Sequence, residues 1–380
     1  MKSILLLIIF SVCIYFTGSS QNVVIVIIDG ARYTETFGDP DFTYIPYMAE
    51  LAENGAYLNN MYNKHQTYTS HAIPALWTGG WGGSYNITYQ GRETQATVNP
   101  TIFEYFRKQK NANPDDCFYI LKYISNLWLQ SFHSDYGPDY WPQTLSDGST
   151  DNDVLANTLE VIDNHKPQLM YVYLAEVDKA GHSGDWQAYT SAIQNADEIV
   201  NTLWNTLQED DFYKGNTTMI VTNDHGRHDY DFSGHGCSCN GCQHIMFLAM
   251  GPDIKNDYIS HQEYELADVA VTAAYLLDVN PEYATGIVIE DIFKTSNVNE
   301  YKKVVDIIYF DNRIHFELDS PERVTLVVYD LLGREKEVLA QNELCEGVNS
   351  FSVSSIQQSG IYIARLQLGT SIITKKFFIK

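Results

Sequence analysis

The chain has 380 residues, of which 24 are basic and 48 are acidic, so its formal net charge is −24. This length predicts one large domain and a smaller one, and a hydrophobic content of 44% is enough for sizeable cores. The acidic excess repels phosphate backbones and argues against nucleic-acid binding through a basic patch. It does not exclude a small phosphorylated substrate, because bound metal cations neutralise a site locally.

The N-terminus has the pattern of a signal peptide. Lys2 precedes an apolar run over residues 4–16, and small residues follow up to Ser20. The run is shorter than the ~20 residues that span a bilayer, so we expect no transmembrane segment here. We therefore expect residues 1–20 to be removed and the protein to be secreted or displayed at the cell surface.

Three continuous apolar runs predict strands that are buried on both faces of a parallel sheet. They lie at residues 22–28, 168–174 and 217–221. An acidic residue follows each run closely, namely Asp29, Asp178 and Asp224. Ligands of open α/β sheets bind at the carboxyl edge of the strands, so we expect these carboxylates to share one site.

Between the strands, apolar residues recur every three or four positions, which predicts amphipathic helices over residues 44–54, 101–110 and 185–208. The alternation of strand and helix predicts a doubly wound, mainly parallel α/β domain over residues 21–296. After it, short β-rich segments broken by turns predict a small all-β sandwich over residues 303–380.

Several stretches of the first domain carry residues that are typical of metal and phosphate chemistry. In chain order they supply Asp29, Thr67, Thr69, Ser70, Asp178, His182, Asp224, His225, His228 and His235. Together they are sufficient for two divalent metals about 4 Å apart that are bridged by substrate oxygens. Oxygen and imidazole ligands without thiolate suit Zn²⁺, and suit Mn²⁺ or Mg²⁺ less well.

The order of these stretches resembles the alkaline phosphatase superfamily over about residues 22–295. That superfamily includes phosphatases, nucleotide pyrophosphatase/phosphodiesterases, phosphonate hydrolases, cofactor-independent phosphoglycerate mutases and sulfatases. The resemblance implies two ligand sets: Asp178, His182 and His235 for one metal, and Asp29, Asp224, His225 and the nucleophile for the other.

The resemblance also implies a nucleophile that lies nine residues before a Thr-Gly pair. Thr69 stands at that distance from Thr78, and Thr67 and Ser70 remain alternatives. A hydroxyl is a weak nucleophile until a metal activates it, so we expect metal coordination of Thr69 and a phospho-threonine intermediate. The stretch lacks the C/S-x-P-x-R setting of sulfatases, which argues against a formylglycine sulfatase.

The sequence therefore predicts a secreted, metal-dependent phosphoester hydrolase. A phosphodiesterase, a nucleotide pyrophosphatase and a phosphonate hydrolase on the same site are alternatives, and so is a non-catalytic surface protein stabilised by its metals. The expected export argues against a mutase that acts on a cytosolic substrate. The candidate contacts to phosphate oxygens are Asn60, Lys64, Arg92, Lys179 and Arg227.

Three cysteines, Cys237, Cys239 and Cys242, directly follow His235. A thiolate zinc site needs four ligands, and His244 is a candidate for the fourth. For an exported protein we favour a disulfide within this loop over that zinc site.

The predicted sandwich resembles the C-terminal sorting domain of type IX secretion cargo in Bacteroidetes. The resemblance rests on VYDLLGRE at 328–335, SGIYIARL at 359–366 and the closing TKKFFIK at 374–380. It implies the type IX secretion machinery as a partner. A generic carbohydrate- or protein-binding sandwich is the alternative.

Overall fold

The computed structural model describes residues 22–123, 128–294, 307–330, 334–368 and 371–379. The expected signal peptide lies outside these residues, as do the expected domain boundary at 296–303 and residues 331–333 of the first sorting motif. The chain divides into two compact units, Met1–Val298 and Asn299–Lys380. Among the described residues, no helix has the length and apolar character needed to cross a membrane.

The first unit contains thirteen strands and eight helices within its described ranges. The strands are β1 (Asn22–Ile28), β2 (Gly55–Leu58), β3 (Met61–Tyr62), β4 (Ser84–Tyr89), β5 (Arg92–Thr97), β6 (Cys117–Leu121), β7 (Trp128–Leu129), β8 (Gln143–Ser146), β9 (Leu169–Leu174), β10 (Thr217–Thr222), β11 (Phe247–Met250), β12 (Tyr258–Ser260) and β13 (Tyr264–Glu265). The helices are α1 (Pro46–Ala52), α2 (Thr69–Thr78), α3 (Ile102–Lys110), α4 (Asp151–Asn164), α5 (Glu176–His182), α6 (Trp186–Glu209), α7 (Asn240–Gln243) and α8 (Asp268–Leu276).

The main sheet has eight strands in the order β12-β2-β11-β10-β1-β9-β6-β8. At its centre, β1 pairs in parallel with both β10 and β9, and every residue of these three strands is buried. The predicted mainly parallel α/β fold is confirmed, and the three predicted strands end within one residue of their predicted bounds. The exception to parallel order is β11, which runs antiparallel to β10 and β2.

Helices cover both faces of this sheet. Because successive side chains of a strand point to opposite faces, the apolar residues of each strand pack against helices on both sides. Along β1, Ile25 packs in the layer that includes Trp77 of α2 and Phe103 of α3. Its neighbour Val26 packs in the opposite layer with Leu203 of α6. Two apolar layers therefore hold the sheet rigid, and the site is built on the ends of its strands.

The second unit is an antiparallel β structure with its own core. Its strands are β14 (Ile308–Phe310), β15 (Arg313–Asp330), β16 (Glu335–Ser352), β17 (Gly360–Leu368) and β18 (Ser371–Ile379). They pair in the order β14-β15-β17-β18. Outside this order, β16 pairs in antiparallel with β15. Alternate residues such as Val324, Leu326 and Leu366 face one apolar cluster, so the predicted all-β class of this unit is confirmed.

Candidate metal centre

The carboxyl ends of the three central strands bring acidic side chains to one edge of the sheet. Asp29 directly follows β1, Asp224 lies two residues after β10, and Asp178 lies in α5, which begins two residues after β9. Because β1 is parallel to both neighbours, the carboxyl ends of all three strands meet. The topology of the sheet thus places residues that are far apart in the sequence side by side.

The first group, the Asp29 cluster, consists of Asp29, Asp224 and His225, and the ligand atoms of these residues lie within 4.8 Å of one another. His225 Nε2 lies 3.5 Å from Asp29 Oδ1 and 3.4 Å from Asp224 Oδ2. The hydroxyl of Thr69 borders the cluster: its Oγ1 is 3.1 Å from His225 Nε2 and 3.5 Å from Asp29 Oδ1. All three cluster residues are buried.

The hydrogen bonds around this cluster leave one carboxylate oxygen without a donor and one imidazole nitrogen unprotonated. Asp224 Oδ1 accepts from the amides of Gly30 and His225, whereas the buried Asp224 Oδ2 accepts from no described residue. His225 Nδ1 lies 2.9 Å from the Gly226 carbonyl oxygen, which can only accept, so Nδ1 carries the proton and Nε2 does not. A buried carboxylate oxygen and an imidazole lone pair 3.4 Å apart repel each other unless a cation lies between them.

The buried carboxylates also perturb one another. Burial raises the pKa of Asp29 well above its ordinary value, and the negative charges of Asp224 and Asp178 raise it further. Burial, followed by the charge of Asp178, raises the pKa of Asp224 to about 7. Converging carboxylates with raised pKa values form a site that is short of positive charge. These residues therefore fit a divalent cation.

The second group, the Asp178 cluster, consists of Asp178, His182 and His235. His182 Nε2 lies 3.3 Å from Asp178 Oδ2 and 3.0 Å from His235 Nε2, and His235 Nε2 lies 3.6 Å from Asp178 Oδ1. The side chain of His182 is 50% exposed, so this cluster faces solvent. The donor set, one carboxylate and two imidazoles, fits a second divalent cation with open coordination positions.

Two contacts set the position of His235 in this cluster. Its Nδ1 lies 2.9 Å from the Thr67 carbonyl oxygen, which leaves Nε2 unprotonated and directed at Asp178. Burial, followed by the nearby His225, lowers the pKa of His235 to about 4, which keeps the imidazole neutral. The rings of His235 and His225 stack with centroids 4.0 Å apart, so the two clusters adjoin.

The structure places Arg227, a predicted substrate contact, behind the Asp178 cluster. The residue is fully buried, and its Nη1 donates a hydrogen bond of 2.6 Å to Asp178 Oδ1. It also donates to the carbonyl groups of Phe232 and Ser233. Its nitrogen atoms are therefore occupied by protein acceptors, and Arg227 orients Asp178.

The other predicted substrate contacts are Asn60, Lys64, Arg92 and Lys179. The amide of Asn60 donates to the His261 carbonyl oxygen at 3.4 Å. The ammonium group of Lys64 pairs with the carboxylate of Glu263. The other two residues are exposed. These contacts of Asn60 and Lys64 thus lie outside the two metal clusters.

Sequence reasoning missed residues that support the ligands. The hydroxyl of Tyr173 donates to Asp29 Oδ2, and the buried amide of Asn223 donates to the carbonyl oxygen of His225 at 2.8 Å. Asn223 directly precedes Asp224, so its place in the motif was a usable signal. Tyr173 sits in an apolar strand in which an aromatic residue is indistinguishable from core.

The predicted disulfide is wrong. The described cysteines are all free thiols: Cys117, Cys237, Cys239, Cys242 and Cys345. The three thiols of the loop instead surround a common point together with His228. His244 is not their partner, because its ring stacks on Tyr33 and its Nε2 lies 3.1 Å from the Asn59 carbonyl oxygen.

A model of the metalloenzyme superfamily matches residues 132–281 of the chain. Among curated relatives, the 2,3-bisphosphoglycerate-independent phosphoglycerate mutase of Gracilaria tenuistipitata var. liui is 28% identical over 134 residues. That alignment covers 34% of this chain and 25% of the mutase. The chain thus spans about a quarter of the length of the curated relatives that it matches first.

Solved structures match a larger share of the chain. Murine ectonucleotide pyrophosphatase/phosphodiesterase 5 is similar with a TM-score of 0.55 and 15% identity, over 72% of this chain and 100% of that chain. A mutant of the alkaline phosphatase PafA is similar with a TM-score of 0.56 and 11% identity, over 73% and 100%. At such identities the likeness is one of fold. It supports an alkaline phosphatase-like α/β core, the part of the chain in which the family model also matches.

Proposed function

We propose that the chain is a hydrolase of phosphoric esters that uses Thr69 as its nucleophile. It would bind two divalent cations, of which Zn²⁺ is the first to be tested. The Asp29 cluster would hold one cation and the Asp178 cluster the other. The observation that carries the proposal is the position of the Thr69 hydroxyl, 3.1 Å from His225 Nε2 and 3.5 Å from Asp29 Oδ1. Bound cations would supply activation of this hydroxyl and neutralise the charge on the phosphoryl oxygens.

The position of Thr69 in the fold also suits an anionic substrate. Thr69 is the first residue of the ten-residue helix α2. The backbone N–H groups and the dipole at a helix N-terminus attract a phosphoryl group. The Thr69 hydroxyl loses its proton and its oxygen attacks phosphorus, the bond from phosphorus to the alcohol oxygen breaks, and that oxygen takes up a proton so that the alcohol leaves. Water then hydrolyses the phospho-threonine, which releases inorganic phosphate and restores the hydroxyl.

The two alternative nucleophiles are engaged elsewhere. The hydroxyl of Thr67 donates to the Cys237 carbonyl oxygen at 3.0 Å. The hydroxyl of Ser70 lies 3.2 Å from His71 Nδ1. Neither contact directs a hydroxyl at the carboxylates of the Asp29 cluster, which favours Thr69.

A cavity of about 390 Å³ that includes Ser70, the residue after Thr69, suits the leaving group. It is lined by Ser70 and by residues of the small sheet β4-β5-β7: Asn86, Glu93, Thr94, Gln95 and Trp128. Two amides, two hydroxyls and an indole ring suit an uncharged organic leaving group. The carboxylate of Glu93 repels a polyanionic one, so this cavity favours monoesters of neutral alcohols over nucleotide polyphosphates.

A substrate panel tests the proposal: aryl phosphate, bis-aryl phosphate, aryl phosphonate and aryl sulfate, each with and without EDTA. We expect the highest kcat/KM on aryl phosphate and a loss of activity with EDTA. Thr69→Ala should lower kcat by about 10³-fold or more, whereas Ser70→Ala should stay within about tenfold. Activity that survives both EDTA and Thr69→Ala would contradict the mechanism.

The same panel separates the alternatives. A preference for the bis-aryl phosphate or the phosphonate would identify a phosphodiesterase or a phosphonate hydrolase on this site. Supplying phosphoglycerate and following the movement of its phosphoryl group tests a mutase, the activity named for the curated relatives. No turnover of any substrate by the metal-loaded protein would favour the non-catalytic surface protein.

We also propose that the chain is exported and that the second unit serves type IX sorting. The support is the apolar N-terminal pattern and the three C-terminal motifs. Expression in a type IX-competent bacterium, with and without residues 303–380, tests this by cell fractionation. Equal amounts of both forms at the cell surface would contradict a sorting role.

A further inference from the structure

A second kind of ligand group, the thiol cluster, lies in the loop between β10 and β11. It consists of Cys237, Cys239, Cys242 and His228, whose ligand atoms all lie within 4.8 Å of one another. His228 Nδ1 is 3.0 Å from Cys237 Sγ, 3.3 Å from Cys242 Sγ and 4.0 Å from Cys239 Sγ. Cys237 Sγ is 2.7 Å from Cys239 Sγ and 3.5 Å from Cys242 Sγ.

Most of these separations are close to those in the ligand shell of a tetrahedral zinc ion. With Zn–S bonds of about 2.3 Å, the edges of a tetrahedron are about 3.8 Å long. Three separations, from His228 Nδ1 to Cys239 Sγ and Cys242 Sγ and from Cys237 Sγ to Cys242 Sγ, lie within about 0.5 Å of that length. Cys237 Sγ lies closer to His228 Nδ1 and to Cys239 Sγ, at 3.0 and 2.7 Å, and both separations would open as the ligands bind one ion.

The backbone around the thiols is folded as a compact turn. The amide of Cys239 donates to Cys237 Sγ at 3.3 Å, an arrangement that stabilises a thiolate sulfur. The amide of Gly241 donates to Asp229 Oδ1 at 2.7 Å, and the amide of Gly226 donates to the Cys242 carbonyl oxygen at 2.9 Å. The turn therefore ties the cysteine segment to the segment that carries His228.

We propose that the thiol cluster is a structural zinc site with three cysteine ligands and one histidine ligand. On binding, the three thiols release their protons to solvent, and a neutral His228 gives the site a net charge of −1. Three thiolates select zinc over the hard cations that prefer oxygen. Four protein ligands leave no open position, so this ion would not take part in chemistry. The inference does not depend on the proposed hydrolase activity.

The ion would hold a loop that supplies both metal clusters. The loop spans residues 223–246, and the one helix in it, α7, has four residues. His228 directly follows Arg227, which orients Asp178, and Cys237 lies two residues after His235. Few regular hydrogen bonds stabilise such a loop, and a bound ion replaces the missing core.

Cobalt substitution of the full-length protein tests the site. Apo protein is prepared under reducing conditions and titrated with Co²⁺ alone. We expect a thiolate-to-cobalt charge-transfer band, which oxygen and imidazole ligands do not produce, together with intense tetrahedral d–d bands. Zn²⁺ should abolish both bands stoichiometrically. Absence of the charge-transfer band from the wild-type protein would overturn the proposal whatever its activity.

Variants identify the ligands. Cys239→Ser and His228→Ala should each lower the charge-transfer absorbance or shift the d–d bands, and bound zinc should fall by one ion per chain. Cys345→Ser removes a thiol outside the cluster and should leave the spectrum unchanged. Alkylation of intact zinc-loaded protein should spare the three cluster thiols until chelator is added. Equal alkylation with and without zinc, or a mass lower by two hydrogens from a disulfide, would contradict the site.

Discussion

The Asp29 and Asp178 clusters together form a strand-end centre, and this centre and the thiol cluster are built in opposite ways. The Asp29 and Asp178 clusters draw ligands from three strand ends and from residues as far apart as Asp29 and His235. All four members of the thiol cluster lie between His228 and Cys242. The sheet brings the first set together whenever the domain folds. The second set depends on the conformation of one loop.

This difference predicts different roles for the ions. At the strand ends, two packed layers hold buried carboxylates close together despite their mutual repulsion, so that cations would bind strongly and substrate oxygens would complete their coordination. In the loop, an ion would take the place of packing. Loss of a strand-end ligand should therefore abolish chemistry with little change of fold, whereas loss of a thiol should loosen the loop.

The largest effect is expected for Asp224→Asn, which changes only the strand-end centre. The amide weakens cation binding next to Thr69, and kcat/KM on aryl phosphate should fall by about 10³-fold or more. The cobalt charge-transfer band of the thiol cluster should persist. The matched control is Asp231→Asn, an exposed residue of the same loop. Loss of the band in Asp224→Asn would show that the two regions are not independent.

Arg227→Met tests the contact that joins the two regions. Arg227 is fully buried, and its Nη1 lies 2.6 Å from Asp178 Oδ1. The methionine variant therefore leaves the Asp178 carboxylate without this cationic partner. We expect the free energy of unfolding to fall by about 3–5 kcal/mol in the apo protein, measured by urea denaturation. Arg92→Met, at an exposed position, should change it by less than about 0.5 kcal/mol. Saturating Zn²⁺ should recover part of the loss, because the cation compensates Asp178.

Cys242→Ser tests how far the loop supports catalysis. The serine should bind the ion weakly, and His235 would then be positioned less well. We expect kcat/KM to fall by about 10–100-fold, the range seen when outer-shell support of a ligand is lost. KM should rise more than kcat falls. Cys345→Ser is the control. Unchanged activity with a lost cobalt band would mean that the thiol cluster stabilises only its own turn.

The strand-end centre was largely predictable from the sequence, for a physical reason. Buried parallel strands are continuous apolar runs, and Asp29 and Asp224 follow two of them, so the shared edge of the sheet implies their proximity. The bounds of the three predicted helices agree with α1, α3 and α6 to within two residues, because each of these helices has one buried face. Assignment of Thr69 rested on a motif distance, since hydroxyl orientation has no sequence signal.

The disulfide was predicted wrongly because the spacing of cysteines along the sequence does not show which other residues the loop brings next to them. Three cysteines in six residues suggested a disulfide, and His244 was the nearest histidine after them. The turn through Gly236, at φ 101°, instead folds the chain back towards His228. Burial of Arg227 was equally hidden, because an arginine in a histidine-rich loop looks like a surface charge until Asp178 is placed beside it.

Thr67→Val should give the smallest effect and probes the link between the regions. The hydroxyl of Thr67 donates to the Cys237 carbonyl oxygen, while the Thr67 carbonyl oxygen contacts His235 Nδ1. Valine removes only the first contact, so the free energy of unfolding should fall by about 1 kcal/mol and kcat should change less than about twofold. Thr202→Val, exposed on α6, is the control. A loss of kcat as large as that of Thr69→Ala would instead make Thr67 the nucleophile, and its contact with Cys237 would then link the thiol loop to a reacting group.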